Sequence, residues 1–293
     1  MSHRPVLLKE VVEWLKPGPG QKFIDATING GGHAEAILEK ITPDGKLLGI
    51  EQDEELLKTA KEKFRNFNNI VLANDNFENL KNISEKYDFG KNNGIIFDLG
   101  VSSWHFEDSG RGFSFQKNEL LDMRLSKKED LTAAHIVNEW KQENIEFILR
   151  EYGGESFAKK ISENIIEARK KEKIETTNQL VEIISKSVPN FYKNRKIHFA
   201  TKTFQALRIA VNRELEVLEK ALEYSIGILV PGGRLAVISF HSGEDRIIKN
   251  KFREFEKSGH GKILTRKPIV PAREEIKINP RARSAKLREY EQA

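Results

Sequence analysis

Two kinds of segment alternate through the first hundred residues of this chain. Short apolar runs, KFIDA (22–26), KLLGIEQ (46–52), NIVLAND (69–75) and GIIFDLG (94–100), are separated by polar stretches of helical period. In one of these, DEELLKTAKEKFRNF (53–67), Leu56, Leu57, Ala60 and Phe64 recur at helical spacing. Strands alternating with helices predict βαβ units and a parallel sheet. Each run is apolar throughout rather than at every second residue, which predicts a sheet covered on both faces. The expected fold class is α/β.

The rhythm then breaks. From about residue 116 to 198 the patterns are almost all helical: LTAAHIVNEW, ENIEFILREYG, SFAKKISENIIEARKK and TTNQLVEIISKSV. In the third, Phe157, Ile161, Ile165 and Ala168 mark one face, and Thr176 or Thr177 is placed to cap the fourth. This predicts a helical insertion over 116–198 between two parts of one α/β domain, 1–115 and 199–293. After it, residues 201–229 read as one long amphipathic helix striped by Phe204, Leu207, Val211, Leu215, Leu218 and Leu222. GGRLAVISFHS (232–242) reads as a fifth buried strand, and KILTRKPIV and SAKLREYEQ as a closing pair.

Composition narrows the chemistry. The 293 residues include no cysteine, so disulfides, thiolate metal sites and cysteine nucleophiles are excluded. The seven histidines, at 3, 33, 105, 135, 198, 241 and 260, show no ligand spacing, and no protein-held metal is expected. No apolar run approaches a membrane span and the N-terminal stretch carries acids, which predicts a cytoplasmic protein. Residues 262–293 hold nine Lys/Arg against four Glu, a difference of five that equals the whole net charge of +5. A basic tail of this kind predicts a polyanionic partner or a merely solvated surface.

FIDATINGGGHAEAIL (23–38) poses the ligand question. An acid, Asp25, ends the first strand, and Gly30, Gly31 and Gly32 precede a helix. Such a turn lets backbone approach a ligand and aims helix N–H groups at it. The dinucleotide pattern GxGxxG is absent, as is a GK followed by Ser or Thr for a triphosphate. A second acid, Glu51 or Asp53, ends the second strand, where it can accept hydrogen bonds from ribose hydroxyls. A ribose without a pyrophosphate fits S-adenosylmethionine. Phe77, after the third strand, lies on an adenine or in the core. Asp98 ends the fourth strand at the edge where such sheets bind ligands, and an acid buried there is expensive without a function.

HRPVLL (3–8), GGGH (30–33), DLGVSS (98–103), RGFSF (111–115), LDMR (121–124), TFQALRI (203–209), VISFHS with EDR (237–246) and NPRARSAKLR (279–288) occur in this order. Together they closely resemble the RsmH (MraW) family of bacterial methyltransferases, essentially end to end. The resemblance implies a class I, Rossmann-like S-adenosylmethionine-dependent methyltransferase with an inserted helical domain that recognises substrate. It implies methylation of the exocyclic N4 of a cytosine in the decoding region of 16S rRNA, within the small ribosomal subunit. Carried over by motif, the cofactor contacts are Gly31, Gly32, His33, Asp53, Phe77, Asp98 and His105, where the family usually has Gln in place of His105. Further departures are DATING for DGTLGGG, HFATKTFQALRI for HPATRTFQALRI, and Gly243 where the family has Leu.

The residues agree with that chemistry independently. Cytosine N4 is a poor nucleophile facing an already electrophilic methyl, so positioning carries most of the rate. Carbon-5 methylation of cytosine needs a cysteine nucleophile, and this chain has none. Asp98 is the candidate catalytic acceptor, although DLGV lacks the Pro-Pro-aromatic that follows such an acid in many amino-methyltransferases. Trp104, Phe106, Phe113 and Phe115 either stack a flipped base or pack their loop. Ser242 to Asp245 reads as a helix start, and His241 as a catalytic or RNA contact. Arg281 and Arg283 are expected on RNA phosphates or on the surface of an edge strand. Two rivals are a non-catalytic RNA-binding assembly factor, marked by loss of the cofactor loop, and a small-molecule methyltransferase, which needs neither insertion nor basic tail.

Overall fold

The structure, a computed structural model, describes residues 5–293, so His3 and Arg4 of the HRPVLL motif lie outside the described residues. Among the described residues seven strands form one sheet. They are β1 (Lys22–Asp25), β2 (Lys46–Glu51), β3 (Ile70–Asn74), β4 (Asn92–Asp98), β5 (Leu229–Ser239), β6 (Gly261–Ile263) and β7 (Lys286–Gln292). Their order is β3-β2-β1-β4-β5-β7-β6. β1 to β5 pair in parallel, while β7 runs antiparallel to both β5 and β6. The strand order reverses between β1 and β4, which opens a crevice at their carboxyl ends.

The chain divides into two compact units: residues up to Ser102 with Leu215–Ala293, and Ser103–Glu214. The first holds the sheet with helices α1 (Leu8–Leu15), α2 (Gly32–Ile41), α3 (Glu54–Lys63) and α4 (Leu80–Lys86). The second is helical, with α5 (Ser103–Glu107), α6 (Ala133–Glu139), α7 (Gln142–Glu151), α8 (Ala158–Arg169), α9 (Thr177–Ser187), α10 (Asn190–Lys193) and α11 (Thr201–Asn212). α12 (Glu214–Gly227), α13 (Ser242–Lys257) and α14 (Arg273–Ile278) return to the sheet-bearing part.

Alternate residues of each central strand enter opposite cores. Ile24, Leu48, Ile95, Phe97 and Val237 pack on one face. Phe23, Leu47, Ile96, Ala236 and Ile238 pack on the other. That is why the strands read as unbroken apolar runs. The helical unit has its own core, including Ile136, Ile145, Leu149, Ile161, Ile165, Leu180 and Leu207. Thr176 caps α9 in a reciprocal box with Gln179.

The single long helix expected over 201–229 is two helices. Arg213 takes a left-handed conformation, φ 50°, and ends α11. The apolar stripe divides with it: Phe204, Leu207 and Val211 belong to the helical core, Leu218 and Leu222 to the sheet. The helical unit is accordingly wider at both ends than the expected 116–198. α13 also differs from expectation in its cap. His241, not Ser242, is the N-cap, in a reciprocal box with Glu244, whose carboxylate accepts from the backbone N–H of Phe240 and His241. The Nδ1 of His241 accepts from the Glu244 N–H at 3.4 Å, and its Nε2 lies 3.2 Å from a Glu244 oxygen.

Candidate functional site

Strand register explains why the acids meet. Asp25 lies level with Gly49 on β2 and with Ile96 on β4. Glu51 and Asp98 each stand two residues further along those neighbouring strands. Side chains two residues apart share a face, so Asp25, Glu51 and Asp98 project from one face at one edge of the sheet. All three are buried, as is Asp53.

Burial sets their protonation. Loss of solvent raises Asp25 from the ordinary 3.8 to about 7, assisted by the charge of Asp98 and opposed by N–H donors of Thr27 and Ala34. Burial likewise raises Glu51 from 4.5 to about 7, with the charges of Asp53 and Asp25 adding to it. Glu51 accepts from the backbone N–H of Asp53 at 2.9 Å and of Asn29 at 3.1 Å. Neither Asp25 nor Glu51 has a lysine or arginine ion pair among the described residues. Asp53 caps α3, one oxygen accepting from the Glu55 N–H at 2.9 Å.

The glycine turn is built tightly. Gly31 is the left-handed N-cap of α2, φ 69°, and a Cβ on it would stand 2.6 Å from the Phe64 ring. A Cβ on Gly32 would stand 2.7 Å from Pro5. Lys63 fastens the turn from outside, reaching the carbonyls of Gly30 and Gly31 at 3.1 Å.

His33 follows, buried at the start of α2. Its Nε2 lies 3.0 Å from the Val6 carbonyl, which can only accept, so Nε2 carries the hydrogen. Burial lowers His33 from 6.5 to about 4, so the ring is neutral near pH 7 and its Nδ1 is bare. That nitrogen faces an Asp98 oxygen at 3.6 Å.

The remaining expected residues are spread more widely. Phe77 sits just past β3, half-buried, edge-on to Phe97 at 5.5 Å and packed against the core. His105 belongs to the helical unit, buried between Trp104 and Phe113 at ring distances of 5.2 and 5.0 Å. Phe113 is buried, and Phe115 stacks on His198 at 4.4 Å. Arg281 and Arg283 are exposed on the turn Pro280–Ser284, either side of the buried Ala282. Three cations of the basic tail are neutralised: Lys262 by Glu291, and Lys286 and Arg288 together by Asp245. Asp25 and Glu51 are the acids that motif matching passes over. Their sequence signal is an acid ending a buried apolar run.

Desolvated carboxylates around a glycine turn suit a ligand with a net positive charge and hydroxyl donors. S-adenosylmethionine, a sulfonium with an ammonium group and a ribose, has that chemistry. The sheet order and this site define a Rossmann-like, S-adenosylmethionine-dependent methyltransferase. Within that class, the model of the MraW methylase family matches residues 1–293, and the chain belongs to that family. It is 44% identical to "Ribosomal RNA small subunit methyltransferase H" of Clostridium botulinum (strain Kyoto / Type A2), covering 98% of this chain and 97% of that one. It is 45% identical to the protein of the same name from a Sulfurihydrogenibium species, covering 98% of each. Among solved structures it is similar to an rRNA methylase from Streptococcus thermophilus, at 12% identity and a TM-score of 0.46 over 100% and 98% of the chains, too distant a likeness to carry function.

Proposed function

We propose that this protein methylates the exocyclic N4 of a cytosine in the decoding region of 16S rRNA, in the small ribosomal subunit and in the cytoplasm. The observation that carries the reading is the set of buried carboxylates, Asp25, Glu51, Asp53 and Asp98, converging beside the Gly31 turn. Family membership and the complete absence of cysteine support it. No helix among the described residues is long and apolar enough to cross a membrane.

When bound, S-adenosylmethionine supplies an electrophilic methyl group. Asp25 and the first N–H groups of α2 hold the ammonium and carboxylate ends of its amino acid. Glu51 and Asp53 accept from the ribose hydroxyls, and Phe77 covers the adenine. Gly31, Gly32 and His33 contribute backbone, because the buried His33 ring is already held by the Val6 carbonyl. The helical unit recognises the RNA.

Asp98 accepts a hydrogen bond from N4, aims its lone pair, and takes the proton that N4 sheds as the new bond forms. The neutral His33 ring stands beside this carboxylate, its Nδ1 3.6 Å from one oxygen, and places no positive charge there to hold the proton off. Arg281 and Arg283 hold phosphates.

Transfer of radiolabelled methyl to unmodified 30S particles and to free 16S rRNA, followed by nucleoside analysis, tests the reading. N4-methylcytidine is the expected product. Label on carbon-5, or none on either RNA, would overturn it.

A further inference from the structure

Away from the acidic edge, α13, β6, the segment after β6 and β7 line an open pocket of about 240 Å³. Its walls carry Lys249, Arg253, Arg266 and Arg288, with Phe252 and Ile263 as the apolar lining. The one acid on the wall is Glu256, an oxygen of which accepts from the backbone N–H of Ile263 at 3.0 Å.

These cations are unlike the others nearby. Lys251, on the same helix, sits among Glu219, Glu223 and Glu254 at 3.3, 2.6 and 3.4 Å. Lys249, Arg253 and Arg266 have no ion-pair partner among the described residues. Lys249 and Arg253 stand four residues apart on α13, an arrangement in which like charges repel and destabilise a helix. Arg288 is buried and oriented by Asp245, whose Oδ1 accepts from its Nε at 2.7 Å, and Asp245 must also balance Lys286 at 2.9 Å. A buried, oriented guanidinium beside three cations that make no ion pair, against a single acid on the wall, favours an anion.

The lining selects the anion. Phe252 is 1% exposed, so the cavity offers no aromatic face on which a base can stack. What it offers is a concentration of donors suited to phosphate oxygens. Phe97 is level with Val237 and Val237 with Arg288, so the Arg288 side chain leaves the sheet on the face of Phe97 and Val237, opposite to the face of Asp25, Glu51 and Asp98, two strand spacings, about 10 Å, from the strand that ends in Asp98.

We propose that this cavity is a phosphodiester-binding pocket that holds the backbone of the RNA substrate outside the target nucleotide. The assignment rests on rRNA being the substrate. It adds a second set of phosphate-binding cations to Arg281 and Arg283.

The test is the triple variant Lys249→Gln, Arg253→Gln, Arg266→Gln, which leaves the buried Arg288 in place. Filter binding of a 16S rRNA fragment is measured over a potassium chloride series, with S-adenosylmethionine calorimetry as the check on folding. The expected result is unchanged cofactor affinity, weaker RNA binding, and a log–log salt slope shallower by roughly 0.7–0.9 for each phosphate that the variant no longer neutralises. The single variant Arg253→Gln, at an exposed helical position, should shift the slope by one such step if the triple variant folds poorly. Wild-type affinity and slope in a folded variant would overturn the pocket while leaving the enzyme's function intact. A wild-type protein that neither binds nor methylates rRNA would overturn the proposed function, and the pocket with it.

Discussion

Acidifying this enzyme should weaken its hold on S-adenosylmethionine. Asp25 and Glu51 both titrate at about 7 in the ligand-free protein because burial disfavours their charged forms. A cationic ligand stabilises those charges, so binding below pH 7 must release a proton. For one group at about 7, the expected loss between pH 7.5 and 5.5 is about 25-fold in affinity, and more if both groups deprotonate. Stability of the free protein should change in the opposite sense. The folded pKa of Asp25 exceeds its unfolded 3.8, so its contribution is fully present below about 4 and is lost as pH rises through 7. A rise of about three units corresponds to about 4 kcal/mol in the alkaline limit. Calorimetry from pH 5.5 to 8.5, in buffers of different ionisation heat, measures affinity and proton release together. Glu51→Gln should flatten the lower limb of the curve. Affinity constant across that range, with no proton released, would refute the argument that buried carboxylates receive the cofactor.

Four further outcomes are expected. Asp53→Asn should keep the α3 cap and melt near wild type, whereas Asp53→Ala should lose about 1 kcal/mol, and both should bind cofactor roughly 10- to 100-fold more weakly; calorimetric and thermal titrations separate the two roles. Asp98→Asn should slow single-turnover methyl transfer by on the order of 100-fold or more, with a smaller change in cofactor affinity; equal losses would make Asp98 a cofactor ligand alone. Burial raises Glu289 well above 4.5, and neither of its oxygens has a hydrogen-bond partner among the described residues, so wild-type stability should fall relative to Glu289→Gln by about 1.4 kcal/mol per pH unit above 4.5 until the folded carboxyl itself ionises. Urea melts at pH 5 and 8 giving parallel values would contradict it. Replacing Arg281 and Arg283 together with Ala should leave cofactor binding unchanged and reduce the salt slope of RNA binding by roughly one unit per phosphate released; an unchanged slope would remove these arginines from the RNA surface.

The acids of the site were legible because each interrupts or ends an apolar run, and a buried strand tolerates an acid poorly unless something uses it. Their mutual geometry was not. Choosing between Glu51 and Asp53 requires the register of β2 against β1, which depends on how the strands pack. The structure separates the two acids: Glu51 stands in the cluster with Asp25, and one oxygen of Asp53 caps α3. The break at Arg213 was hidden for a different reason. The apolar stripes of α11 and α12 continue in phase through it, and arginine is not a residue whose presence marks a left-handed turn. The basic tail shows the same limit for charge. Its count of cations is visible in the chain, but Lys286 and Arg288 meet an acid, Asp245, more than 40 positions away. Folding thus sorts a run of like charges into those that are neutralised and those that are not. The second group marks where a polyanion can bind, and Arg266 joins Lys249 and Arg253 in it only because α13 and the segment after β6 line one pocket.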